Sequence, residues 1–414
     1  MRSGGVTAAD IARYGVRRKR GVVGGASGRG LALATTDALM VEERRALRRK
    51  TIAWMAALAV LAFASLGVTG AAGYNYVDSE SYQVFSPVEV GYALYLHAYN
   101  FIGETSHLFS SHPMSWMLEN APGYYAVWER AGVVGVTLVC AVLLSVSGML
   151  YQNVFKNPIA GPGMLGVGSG VSLGMMLLVW LYGASAGGFL AERYVFCYGF
   201  GAAILAFVIL AGRRLSGKGK PFDIVTMLLL GSILSQLLGF IVSYVTLYVM
   251  DPSDYAIYYT LSAMLVVDTS PVSWACLGVA AIASLVPVWL LRFRLNALAF
   301  DQQEVRLFGI NFTLLRAFAL VCGAIMILAA QVHTGAVALV SLVVPFLSRS
   351  WFGCEFRKQL VGNVCIGTVL LLLCRDIVDL IPFVGDGIAI GSAVSVVALP
   401  LFVVIMAKQM RGWE

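Results

Sequence analysis

Few residues in this chain are of a type and spacing that could do chemistry. His97, His107 and His112 lie ten and five residues apart in one segment, and His333 stands alone. A metal or haem contact needs ligands on one helix face or in a short ligand pair, and these intervals supply neither, so the first three read as solvated loop histidines. Gly161-Pro162-Gly163-Met164-Leu165-Gly166 has the G-x-G-x-x-G pattern of a dinucleotide turn, but no strand precedes it and no βαβ unit surrounds it. Gly212-Arg213-Arg214-Leu215-Ser216-Gly217-Lys218 imitates a P-loop, yet Gly219 stands where the Mg²⁺-binding hydroxyl belongs. There is no His-Glu-x-x-His and no Gly-x-Ser-x-Gly. Seven cysteines form no C-x-x-C pair and mostly lie in apolar runs, as small buried hydrophobes do. The one dense group of charges in an apolar setting is Arg375, Asp376 and Asp379, where an Arg375–Asp379 pair at i, i+4 is the simplest reading. No catalytic residue, resident metal or cofactor is expected, and no ATPase site.

The elements that carry these residues belong to a membrane. Hydrophobic residues make up 59% of the 414 and charged ones 12%, about half the charge of ordinary soluble domains, where roughly a quarter of residues are charged. Runs long enough to cross a bilayer fall near 52–73, 129–152, 165–183, 193–212, 223–249, 271–292, 313–333, 335–350, 359–381 and 387–407. The expected fold is therefore all-α, a polytopic protein with about ten transmembrane helices. The first run is too long, and its basic flank too extended, for a cleaved signal peptide.

Charge gives the sidedness. Residues 1–50 hold twelve Lys/Arg against four Asp/Glu, a surplus of +8, while the whole chain carries +7. The basic excess is thus a property of the tail, which is rich in Gly, Ala and Ser and reads as a disordered cytoplasmic arm with a short helix near Glu42–Lys50. It lacks the interleaved aromatics of a nucleic-acid binder, and no nucleic-acid partner is expected. From a cytoplasmic N-terminus, the inside loops hold Lys156, Arg213, Arg214, Lys218, Lys220, Arg292, Arg294, Arg306, Arg349, Arg357 and Lys358. The outside loops hold Asp78, Glu80, Glu89, Glu104, Glu119, Asp251, Asp254, Asp268 and Asp386. The two sets separate as the positive-inside rule requires, with both termini cytoplasmic. Residues 51–414 form the transmembrane domain, with 74–127 outside and 293–312 inside.

Between two of the apolar runs lies Asn157-Pro158-Ile159-Ala160-Gly161-Pro162-Gly163-Met164-Leu165-Gly166-Val167-Gly168-Ser169-Gly170. Irregular backbone at membrane depth survives only where protein or a water-filled cavity satisfies its polar groups, so this turn implies a packed bundle around a pathway. Gly166, Gly170 and Gly174 repeat at four-residue intervals, which lets two helix backbones approach closely.

From Gly148 to Gly170 this run resembles the signature of bacterial ABC-importer permeases for iron-siderophores, haem and cobalamin, approximately G-x-x-x-Q-x-x-x-x-N-P-L-A-x-P-x-L-L-G-[VI]-x-x-G. Gln152, Asn157, Pro158, Gly161, Pro162, Gly166 and Gly170 stand in that signature turn. Three more segments agree in order: 229–235, 298–310 and 336–345. The resemblance covers about residue 52 to the end. It implies a homodimer in the cell membrane with the pathway on its two-fold axis, a separate ATP-binding cassette subunit below, and an extracytoplasmic binding protein above. Leu298, Phe300, Asp301, Glu304, Arg306 and Gly309 would form the loop that seats in the ATPase. That loop is amphipathic, as a docking segment must be.

The chain departs from the pattern in places. Phe346 follows Pro345 where the family generally has His, and Asp301 replaces a Gly. Arg375, Asp376, Asp379 and Asp386 occupy the region that would dock the binding protein, where the family commonly has an Arg a few residues after the Asp. The 74–127 loop is longer than usual. Two other functions compete: an ion-driven secondary transporter, which needs a midplane carboxylate or broken-helix ion site, and a non-transporting membrane scaffold.

Overall fold

The computed structural model describes residues 28–67, 86–106, 123–158, 160–183, 190–215, 224–263, 269–300, 302–307, 309–335 and 337–380, with isolated positions at 394, 396, 400 and 403. The chain divides into two units, Met1–Lys50 and Thr51–Glu414. In the first, residues 28–50 are helical, and residues 41–50 are exposed apart from the half-buried Leu47.

The second unit is a helical bundle. In chain order the helices are α1 (Gly28–Leu66, which begins in the first unit), α2 (Pro87–Ser106), α3 (Gly123–Phe155), α4 (Val167–Tyr182), α5 (Leu190–Leu215), α6 (Ile224–Tyr248), α7 (Pro252–Ala263), α8 (Pro271–Leu290), α9 (Gln302–Leu307), α10 (Phe312–Thr334), α11 (Ala338–Phe352) and α12 (Phe356–Leu380). Two short 3₁₀ turns, η1 (Pro162–Leu165) and η2 (Arg294–Ala299), sit between α3 and α4 and between α8 and α9. Among the described residues, seven helices are long and apolar enough to cross a membrane, and Val167–Tyr182 and Leu339–Phe352 are shorter apolar helices. These nine coincide with the first nine expected spans; the tenth, 387–407, falls almost wholly outside the described residues.

α3 is the hub, packed against α10, α11 and α12, while α4 and α5 form the tightest pair and carry α6 and α7. Its Cys140, Leu143, Leu144, Met149, Leu150 and Tyr151 are fully buried. Among the polar side chains that tie it to the neighbours, Ser147 donates to Gly323 O at 2.6 Å, Tyr151 to Leu320 O at 3.1 Å and Gln152 to Leu342 O at 2.9 Å. Each gives a buried side-chain donor its partner in a setting without water. α5, α6 and α8 instead turn apolar faces outward. On α6 the exposed row is Leu229, Ile233, Leu237, Phe240, Tyr244 and Leu247, one stripe at helical spacing.

Helix ends follow local rules. The first apolar run was expected to reach residue 73, but α1 ends at Leu66, where Gly67 N bonds back to Ala64 O at 3.0 Å and a Gly- and Ala-rich stretch begins. α8 and α10 start at the side-chain caps Ser270 and Asn311. α2 opens with a capping box: Ser86 N donates to the Glu89 carboxylate at 2.7 Å, and Glu89 N donates to Ser86 Oγ at 3.3 Å. These bonds from Ser86 hold the exposed Glu89 carboxyl below its ordinary value. A depressed carboxylate contributes stability above its unfolded pKa and loses it as the pH falls through the folded one. Acidification below the normal Glu range should therefore fray the first turn of α2, seen as faster amide hydrogen exchange there, and Glu89→Gln should remove that pH dependence.

Candidate functional site

Three features stand where the sequence places function. In the Gly/Pro turn, residues 156–158 form an exposed tip, and the chain then re-enters the bundle with Ala160, Gly161, Pro162 and Leu165 buried. Lys156 adopts φ 50°, outside the helical range, and so stops α3. Asn157 N bonds to Gln152 O at 3.3 Å and Ala160 N to Asn157 O at 3.2 Å, which satisfies the tip internally. Gly166 takes φ 77° and joins η1 to α4, a left-handed step that Gly makes without strain. Gly161 lies against Ser341 of α11, where an added Cβ would be 3.9 Å from its Oγ. Gly170 and Gly174 let α4 rest directly on the α5 backbone, since a Cβ there would be 2.9 Å from Phe200 O and 2.5 Å from Phe196 O respectively. From the other side α6 presses Gly231 onto η1: a Cβ would lie 2.4 Å from Met164 O. Gly231→Ala should therefore cost about 1–3 kcal/mol or more by overpacking, read as a fall in the thermal midpoint of the purified protein.

The loop after α8 is held down on one side and open on the other. Leu295 and Leu298 are each 1% exposed. Leu298 therefore anchors η2 and presents nothing to a partner. Asn296 Oδ1 accepts from Phe356 N at 2.8 Å, and the Arg357 guanidinium lies 5.0 Å from the Phe293 ring. Val305 is buried, while Phe300 is 50% and Leu307 87% exposed and Glu304 is exposed. Gly309, with φ 71°, turns the chain toward α10. Asp301 and the side chain of Arg306 lie outside the described residues. Phe300, Glu304 and Leu307 thus face outward above a buried anchor.

The third feature differs from expectation. Arg375, Asp376 and Asp379 are 6–8% exposed and have no surface to offer a soluble protein. Arg375 Nε does pair with Asp379 at 2.8 Å. The sequence reading missed the centre of the group, Arg130 on α3, itself 6% exposed. Its Nη2 meets Asp376 at 2.7 Å, its Nη1 meets Asp379, and its Nε donates to Ser65 O at 3.0 Å. Ser65 Oγ in turn donates to Asp376 at 2.6 Å. Two guanidinium and two carboxylate groups balance, and three helix ends (of α1, α3 and α12) are thereby fixed at one end of the bundle. Asp386 lies outside the described residues.

The two described histidines are packed against aromatic rings. His97 is half-buried, its ring stacked on Trp128 at 4.7 Å, not solvated as expected. His333 is buried, with ring nitrogens 3.1 Å from Ala329 O and 3.2 Å from Ser273 O and its ring over Tyr194. His107 and His112 lie outside the described residues. Among the described residues no group of three or more His, Cys, Asp or Glu could hold a metal ion. All seven cysteines are unpaired.

A bundle of at least nine apolar helices, packed around an internally satisfied Gly/Pro turn, defines a polytopic membrane protein. The model of the FecCD transport family matches residues 113–408, and the chain belongs to that family. A probable iron chelatin transport system permease protein of Helicobacter pylori is 26% identical over 275 residues, 66% of this chain and 79% of the relative. The vitamin B12 import system permease protein of Salmonella paratyphi A is 27% identical over 303 residues, 72% of this chain and 88% of the relative. The fold is that of a solved metal-chelate type ABC transporter in an inward-facing conformation, with a TM-score of 0.64, 20% identity, and coverage of 87% of this chain and 99% of that one.

Proposed function

We propose that this chain is the membrane permease subunit of an ATP-driven importer that carries an iron-siderophore inward, with haem and cobalamin as the other cargoes of this transport chemistry. It works as a homodimer in the bacterial cell membrane, both termini cytoplasmic, with a separate ATP-binding cassette subunit and an extracytoplasmic binding protein. The observation that carries this reading is membership of the FecCD transport family over residues 113–408. The half-anchored loop with Phe300, Glu304 and Leu307 outward supports the ATPase contact, and the basic residues on the same side support its cytoplasmic placement. The end that holds Arg130 is then extracytoplasmic. Because Arg375, Asp376 and Asp379 are buried there, the binding protein docks on other groups.

An ion-driven carrier fits less well. Its coupling site would need a carboxylate free to take up and release an ion, and both buried aspartates are neutralised by arginines. Purification of the tagged chain from native membranes in mild detergent tests the proposal. An ATPase subunit should come with it, two per pair of permease chains. A chain that purifies alone, with uptake that ignores ATP depletion and collapses with the ion gradient, would overturn it.

A further inference from the structure

One helix is left unexplained by the transport reading. α2 precedes the residues matched by the family model, and it is amphipathic in an unusual way. Val90, Ala93, Leu96 and Asn100 face inward, at helical spacing. The opposite face is aromatic, not charged: Tyr92 is 43% and Tyr95 59% exposed. Tyr92, Tyr95 and Tyr99 form a continuous ladder, with ring centroids 6.5 Å and 6.1 Å apart. Trp128, 60% exposed, extends the surface by stacking on His97.

The depth of this helix follows from what it touches. Val90 and Ala93 form a small core with Val127, and Leu66 packs against it. Leu66 is the last residue of the span Val41–Leu66, and Val127 precedes the span Arg130–Phe155. Two independent span ends thus place α2 at the boundary between hydrocarbon and water. The buried charges of Ser65's neighbours, Arg130 and Asp376, lie at the same level, where charge is least costly for a membrane protein. Tyr and Trp are the residues that belong there, since each ring has an apolar body and a polar tip.

We propose that α2 is an interfacial helix whose Tyr92–Tyr95–Tyr99 ladder, together with Trp128, lies in the phospholipid headgroup layer of the outer leaflet. The helix has Glu89 and Glu104 but no Lys or Arg, so its partner is a zwitterionic headgroup and not an anionic one. The capping-box end, with Glu89, projects toward water. This inference rests on the membrane-spanning reading and, for the choice of leaflet, on the cytoplasmic termini proposed above; it is independent of cargo or ATPase.

Spin labels test it. Tyr95→Cys and, separately, Tyr92→Cys are made in the full chain with Cys276 and Cys354 replaced by Ala, labelled with a nitroxide, and reconstituted in phosphatidylcholine vesicles. Both positions are exposed, so neither label should disturb the fold. Collision with oxygen and with a water-soluble nickel chelate is compared with labels at Glu304, as the aqueous reference, and at the outward-facing Val279, as the hydrocarbon reference. The expected result is a severalfold loss of nickel collision relative to Glu304 with oxygen collision retained, giving a depth between the two references. Nickel collision equal to that at Glu304 would overturn the proposal, since the ladder would then face water and await a soluble protein. Low collision with both reagents would also overturn it, because the ladder would be covered by protein.

Discussion

Arg130→Gln should destabilise the bundle by about 3–5 kcal/mol, because removal of one member of a buried charge group leaves an uncompensated charge behind. Arg130 is the only described contact between α3 and both aspartates of α12, through Asp376 and Asp379. Without it, two carboxylates share the single guanidinium of Arg375 in a site 6–8% exposed. The double variant Arg130→Gln/Asp376→Asn leaves a neutral Arg375–Asp379 pair and should recover most of the loss. That non-additivity separates a charge-balance role from simple packing. The measurement is the thermal midpoint in detergent of the two single variants and the double. A double variant as unstable as the sum of its singles would show that the group matters through shape, not charge.

The second large effect is expected at the loop. Leu307→Asp and Glu304→Lys change exposed side chains above a buried anchor, so the fold should be unaffected. Loss of one well-packed anchor residue at a protein interface costs about 2 kcal/mol or more, which is roughly thirtyfold in affinity. Each variant should therefore lose the ATPase in co-purification and lose uptake, with an unchanged thermal midpoint. Full uptake in both would mean that the exposed face of η2 and α9 is only a turn. Leu298→Ala makes the contrast: its side chain is 1% exposed, so it should lower stability as a core truncation does, by about 2–5 kcal/mol.

Much of this molecule could be read from its sequence because hydrocarbon is a demanding solvent. A segment near 20 apolar residues has almost no alternative to a spanning helix, and the expected 223–249 and 271–292 correspond to Ile224–Tyr248 and Pro271–Leu290. The Gly/Pro turn was legible for the same reason, since so much irregular backbone between two spans demands packing. Local pairs were legible as well: Arg375 and Asp379 are four residues apart on one helix, and they meet.

What escaped was long-range or interfacial. Arg130 stands at the mouth of an apolar run with nothing nearby to suggest that it pairs with residues 246 and 249 positions away. A carboxylate pair near a helix end looks the same in sequence whether it faces water or a distant guanidinium, which is why docking was expected of groups that are buried. α2 and α7 were read as loop, because neither has a run long enough to span and the apolar pattern of α2 is broken by the polar His97 and Asn100. The burial of Leu298 beneath Phe300 was hidden too, since an amphipathic loop does not say which apolar residue anchors it and which is offered.

The most direct test of the transport reading is uptake by the reconstituted permease with its ATPase and binding protein, in vesicles loaded or not loaded with ATP and Mg²⁺. Ferric siderophore, haem and cobalamin are presented in parallel, each with and without an ionophore that collapses ion gradients. The account predicts accumulation of the ferric chelate only in ATP-loaded vesicles, unchanged by the ionophore. Accumulation that ignores ATP and disappears with the ionophore would contradict it.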